Sequence, residues 1–170
     1  MGVLGLGGLG HMAVKLASAM GAEVTVLSTS RGKEADAKRL GAHSFVNTRE
    51  PGALKRLAGR FDLLLDTISA DHDLNAHLAT VRTTGAMVLL GGPPSPLSLR
   101  AMSLSNGNKK LAGSMIGGIA ETQEVLDFCG RNGIVSDVEV IPMEKINEAY
   151  ERMLRSDVRY RFVIDAATIV

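Results

Sequence analysis

The chain has 170 residues, 45% of them hydrophobic and 4% aromatic, and a net charge of +1. That length suits one domain, or one domain with an appendage, and allows a sizeable aliphatic core. The balanced charge gives no reason to expect a nucleic-acid or membrane partner, no apolar run has the length of a membrane span, and Cys129 stands alone, which leaves no internal disulfide and no multi-cysteine zinc site.

Gly2-Val3-Leu4 is a short apolar strand. Gly5-Leu6-Gly7-Gly8-Leu9-Gly10 follows, then a helix over His11–Met20 with Met12, Leu16, Ala19 and Met20 on one face. Gly5, Gly7 and Gly10 form G-x-G-x-x-G in a strand–turn–helix setting, the context that makes it a dinucleotide fingerprint rather than a simple tight turn. Gly5 allows the turn, Gly7 the approach of a pyrophosphate and Gly10 close helix–strand packing. The free N–H groups and dipole of the helix start favour phosphate. Gly8 and Leu9 complete the loop.

The spacing predicts a second strand over Glu23–Ser28, a helix over Glu34–Leu40 and a third strand over Ser44–Asn47. A helix over Pro51–Ala58 leads to a fourth strand at Phe61–Asp66. Helix Asp71–Ala79, strand Ala86–Leu90, strand Leu111–Ile116 and helix Glu121–Gly130 follow. This alternation implies an α/β Rossmann fold, a doubly wound six-stranded parallel sheet in the order 3-2-1-4-5-6, with ligand at the carboxyl ends where the order reverses. After Gly133 a strand (Val138–Ile141), a helix (Met143–Leu154) and a strand (Arg159–Ala166) form a tail too small to bury its own apolar groups. The expected division is a Rossmann domain over 1–133 and a C-terminal segment over 134–170.

An NAD site of this kind places Asp or Glu at the end of the second strand, for the ribose 2′-OH. Here that place reads Leu27-Ser28-Thr29-Ser30-Arg31-Gly32-Lys33, with no carboxylate before Glu34. Hydroxyls and cations suit a 2′-phosphate, which a carboxylate would repel. Ser28, Thr29 and Lys33 are the expected contacts, with Ser30 and Arg31 behind them, and the expected cofactor is NADP(H). The four histidines have no i, i+4 ligand partner, so solvated or locally hydrogen-bonded rings are expected, His72 and His77 on a polar helix. Cys129 is expected to be packed.

The string GLGGLGHMAVK at Gly5–Lys15 resembles the cofactor loop of zinc-dependent medium-chain dehydrogenase/reductases, in their cinnamyl-alcohol-dehydrogenase-like group. Val24–Val26 with Ser28–Ser30, Ala37–Ala42, Asp66–Ser69, Gly113–Gly118, Ile146–Tyr150 and Arg159–Val163 are similar too, so the likeness covers nearly the whole chain. It implies a cytoplasmic enzyme passing hydride between NADP(H) and a small aldehyde or primary alcohol. It adds Thr67 beside the cofactor ribose, and Gly91, Ser114 and Ile116 near the nicotinamide. It implies no catalytic residue or metal ligand in this chain, because the family carries its zinc ligands in an N-terminal domain that the chain lacks. The chain is therefore expected to be a portion of a longer enzyme, inactive alone, with its tail packed on that other domain. The resemblance also implies a homodimer through strand 111–116. A zinc-independent quinone or enoyl reductase and a non-enzymatic dinucleotide-binding module are the alternatives, and a flavin site fits less well.

Overall fold

The computed structural model describes residues 1–169; Val170, the end of the expected C-terminal segment, lies outside the described residues. Strand β1 (Gly2–Leu4) runs through the glycine turn into α1 (Gly8–Ala19), and β2 (Thr25–Ser28), α2 (Glu34–Arg39) and β3 (Ser44–Asn47) continue outward. Helix α3 (Ala53–Arg56) returns the chain to β4 (Phe61–Asp66), followed by α4 (Leu74–Leu78), β5 (Val81–Leu89), α5 (Ala101–Ser105) and β6 (Lys110–Gly113). The six strands form one parallel sheet in the order β3-β2-β1-β4-β5-β6, the order expected from the sequence.

The central strands are buried on both faces, which is why they read as unbroken apolar runs. Val3, Val24 and Val26 pack with Leu6, Val14, Ala17, Ala37 and Leu40 beneath α1 and α2. Leu4, Leu27, Phe61 and Leu64 face the opposite way, against Leu74, Leu78, Val81 and Met87. In register, Leu4 lies between Leu27 of β2 and Asp66 of β4. The loops leaving all three strands therefore open on one edge.

Most element bounds shift by a few residues from expectation, as for α1, which starts at Gly8, α3, which shortens to Ala53–Arg56, and α7, which starts at Ile146; four differences shape the rest of the structure. Helix α4 starts at Leu74, not Asp71, because Asp73 caps it: its carboxylate accepts from the amides of Asn75 at 3.0 Å and Ala76 at 3.1 Å. His72 thus stays in the loop instead of on the helix. Strand β6 ends at Gly113, not Ile116; after the Leu89–Gly113 pair only the Ser114 amide bonds onward, to Leu89 O at 3.0 Å. Strand β5 begins early, at Val81, across a register shift between Phe61 and Leu63 of β4. Helix α5 is too short to show a helical period in the sequence.

Helix α6 (Ile119–Asn132) buries none of its residues, and Ile119, Val125 and Leu126 are exposed. Beyond it, β7 (Val138–Pro142) and β8 (Arg161–Asp165) pair in parallel around α7 (Ile146–Leu154). This tail is anchored on α1 and α2. Tyr160 is buried in the core beneath them, Asp137 pairs with Lys15 and, at 2.7 Å, with Arg39, and Arg159 meets Asp36 at 2.8 Å. Its other side, with Ile141, Ile146, Tyr150, Met153 and Phe162, lines an open hollow. Among the described residues no helix is long and apolar enough to cross a membrane.

The hydrogen bond from Lys15, then that from Arg39, holds the Asp137 carboxyl below the usual carboxylate range. A depressed folded-state pKa adds stability that is complete above the ordinary value and is lost as the pH falls through the folded one. Asp137→Asn is expected to lower stability at pH 7 by about 1–2 kcal/mol, between the worth of an exposed and a buried ion pair. Urea unfolding should show that gap closing below about pH 4.

Candidate functional site

The turn after β1 is built by steric exclusion. Gly5 has φ +88°, a conformation that side chains resist, and its amide donates to Leu27 O at 2.9 Å. A Cβ on Gly10 would overlap the Gly5 carbonyl oxygen and come within 3.1 Å of Thr67 Oγ1, so only glycine lets α1 sit this close to β1. Thr67 clamps the same point from β4, its hydroxyl donating to Leu4 O at 2.7 Å and its amide to the same oxygen at 3.0 Å. Gly7, the N-cap of α1, is open: a Cβ there would meet nothing within 4 Å. The amides of Gly8, Leu9 and Gly10 open the helix, and its first turn carries no acidic side chain.

A cleft of about 450 Å³ lies over this turn. Of the expected residues, Gly5, Gly7, Ser28, Thr29, Lys33 and Thr67 line it together. Ser28 Oγ accepts from the Ser30 amide at 3.2 Å, which shapes the rim after β2. Lys33 reaches across and donates to Leu6 O at 2.8 Å. Burial, then the neighbouring Arg159, pushes its ammonium pKa down. No carboxylate joins the cleft from the Ser28–Lys33 rim.

Other expected residues lie elsewhere. Arg31 faces a separate hollow beside β3 with Glu34, Glu50 and Arg56. Leu9, Ser114 and Ile116 border an apolar hollow of about 670 Å³ beside α1, with Ile116 94% exposed. Gly91 packs on the backbone of Ile68, whose carbonyl a Cβ would overlap, so it closes the turn after β5.

The structure adds residues that spacing did not reveal. Arg161, on β8, lays its guanidinium along the start of α1: a Cβ on Gly8 would be 3.2 Å from its Nη2. Ser156 of the tail also lines the cleft. So do His72 and His77, whose rings lie 5.3 Å apart. His72 Nε2 is 2.8 Å from the buried Asp66 carboxylate, and its Nδ1 is 2.9 Å from Ala70 O. His77 is 7% exposed with Nδ1 unpartnered, and burial, then His72, pushes its pKa down. His43 is hydrogen-bonded, though not locally, accepting from the amide of Val24, 19 residues earlier, at 3.1 Å. Cys129 is half-buried. Among the described residues no group of three or more His, Cys, Asp or Glu side chains is disposed to hold a metal ion.

Comparison with known proteins identifies the family. Residues 8–131 match the family model described as zinc-binding dehydrogenase. The NADP-dependent alcohol dehydrogenase C 1 of Mycolicibacterium smegmatis is 54% identical over 167 residues, covering 98% of this chain and 48% of its own. A cinnamyl alcohol dehydrogenase of Sorghum bicolor superposes with a TM-score of 0.95 at 47% identity, over 98% of this chain and 47% of its own. The CAD of Helicobacter pylori, solved with NADP(H), gives 0.88 at 36% identity, over 98% and 47%. The chain thus spans about half the length of the relatives it matches.

The two glycines separate folding from binding. Gly10→Ala is expected to cost about 1–3 kcal/mol of stability, the usual effect of forcing an atom into a packed contact. Gly7→Ala should melt close to the parent while losing about tenfold in dinucleotide affinity, or 1.4 kcal/mol. Thermal melts paired with a binding titration check both.

Proposed function

The chain belongs to the zinc-binding dehydrogenase family, and from that premise we propose that it is the NADP(H)-binding portion of an alcohol dehydrogenase or aldehyde reductase. In this reading residues 1–133 hold the dinucleotide, and 134–170 form a return segment whose open side packs on a catalytic domain. Bound NADP(H) supplies or accepts hydride. Every other role here belongs to the chain's own side chains and amides.

The observation that carries the reading is the rim after β2. It offers the Ser28 and Thr29 side chains and the Lys33 ammonium to the cleft, where an NAD site would place a carboxylate. The 2′-phosphate is assigned to these three, with Ser30 behind them. Lys33 would exchange its bond to Leu6 O for a stronger, charge-assisted bond to phosphate. The pyrophosphate is assigned to the first amides of α1, where the helix dipole and the Arg161 guanidinium both favour negative charge. Thr67, already fixed by its bond to Leu4 O, borders the ribose. Gly91, Ser114 and Ile116 are assigned to the nicotinamide end on the family resemblance alone; in the free chain Ser114 and Ile116 border the apolar hollow beside α1.

The family takes zinc, but the described residues of this chain do not form a zinc site. The chain's part is to bind and orient NADP(H), and its aldehyde or alcohol substrate belongs to the assembled enzyme, which we place in the cytoplasm. We also assign a homodimer contact to the outer edge of β6, the last strand of the sheet, which no other strand among the described residues covers.

The chain is expected to bind NADPH more tightly than NADH by fluorescence titration. Lys33→Ala should narrow that gap, while Arg161→Ala weakens both cofactors alike. Equal affinity for the two cofactors in the parent chain contradicts the assignment. Light scattering is expected to return the mass of a dimer; a clean monomer removes the β6 contact.

A further inference from the structure

We propose that His11 is a positioning residue of the glycine loop: a neutral imidazole that ties the Gly7 carbonyl to the backbone of Asp137 and so sets the start of α1 against the tail. Its effect on cofactor rests on the NADP(H) reading above, but its bonding does not.

His11 lies in the first turn of α1 and is 2% exposed. The Asp137 amide is 3.2 Å from Nε2. A backbone N–H can only donate, so Nε2 accepts and carries no proton. Nδ1 is 3.2 Å from Gly7 O. A carbonyl can only accept, so Nδ1 holds the proton. The two contacts together select a single neutral tautomer. The ring also stacks on Tyr160, centroids 4.9 Å apart and planes 17° from parallel, while the Tyr160 amide donates to Asp137 O at 3.0 Å. Loop and tail, 126 residues apart, thus meet through one ring.

The bridge bears on the cofactor through the peptide plane. Gly7 O accepts from the His11 ring and from the His11 amide at 3.0 Å. In a planar trans peptide the Gly8 N–H points opposite to that oxygen. Fixing the carbonyl therefore aims the Gly8 amide away from the helix, on the side where a phosphate approaches.

Burial is the main force keeping the ring's pKa below its ordinary value; Lys15 acts in the same direction, and Asp137 with the Gly7 and Gly8 backbone acts against it. Arg39 reaches the same Asp137 carboxylate from α2, and Tyr160 covers one ring face. A second ring proton would set Nε2–H against the Asp137 N–H and break the bridge. Because the folded-state value is depressed, the bridge's contribution is complete above about pH 6.5 and falls as the pH drops.

The test has two readouts. Ring ¹⁵N shifts of the histidine-labelled chain at pH 7.5, assigned by the signal lost in His11→Gln, are expected to show protonated Nδ1 and bare Nε2. The opposite tautomer, or a doubly protonated ring, overturns the proposal. NADPH titrations from pH 8 to pH 5.5 then compare the parent with His11→Gln, whose amide can still accept from Asp137 but does not titrate. The 2′-phosphate titrates in both, so the difference isolates the ring. The parent is expected to lose more affinity than the variant, the two profiles diverging below about pH 6.5. Parallel profiles overturn the effect on cofactor. A chain that binds no NADPH at either pH overturns the functional reading, and the ring shifts still decide the bridge.

Discussion

The close approach of α1 to β1 governs the rest of the structure. Gly10 faces the carbonyl of Gly5 across a gap too small for a Cβ, and Thr67 reaches in from β4 to bond Leu4 O. This contact fixes the direction in which α1 leaves the sheet. It also fixes where the first helical amides point, and it ties the two strands between which the sheet reverses. The excluded methyl is therefore as much a functional feature as a packing one. With α1 farther out, the amides, the rim after β2 and the threonine just after β4 would no longer converge on one cleft.

The tail makes a second contribution that its sequence hides. Its open side carries apolar residues, while its other side is fastened to α1 and α2 by Tyr160, Asp137 and Arg159. Each fastening point sits near the cofactor loop: Tyr160 on His11, Asp137 on Lys15, and Arg159 close enough to lower the Lys33 pKa. Arg161 follows directly and lies along Gly8. A segment joined to the sheet only through the exposed α6 thereby becomes part of the wall around the candidate phosphate site.

The strand order and the bounds of β3 and β4 were legible in the sequence, because parallel strands buried on both faces leave unbroken apolar runs between glycine and polar turns. The glycine turn was legible for a related reason: its steric demand acts on neighbours only a few residues away. What escaped depends on distance along the chain. Nothing local to Arg161 or Ser156 reveals that β8 and the loop before it return to α1. His72 was misplaced because Asp73 delays the helix, a capping bond worth more than the helical propensity of the residues before it. Ser114 and Ile116 are separated from the cleft because β6 ends at Gly113 and the chain then turns toward the hollow beside α1.

The central claim is that the free chain already holds a formed dinucleotide site at the turn between β1 and α1. Hydrogen–deuterium exchange with and without saturating NADPH tests it most directly, because it reports where the cofactor sits as well as whether it binds. Slowed exchange concentrated at residues 5–12, 28–33 and 67–69 is the predicted result. Unchanged exchange there, or protection confined to the apolar hollow and the open side of the tail, would contradict it.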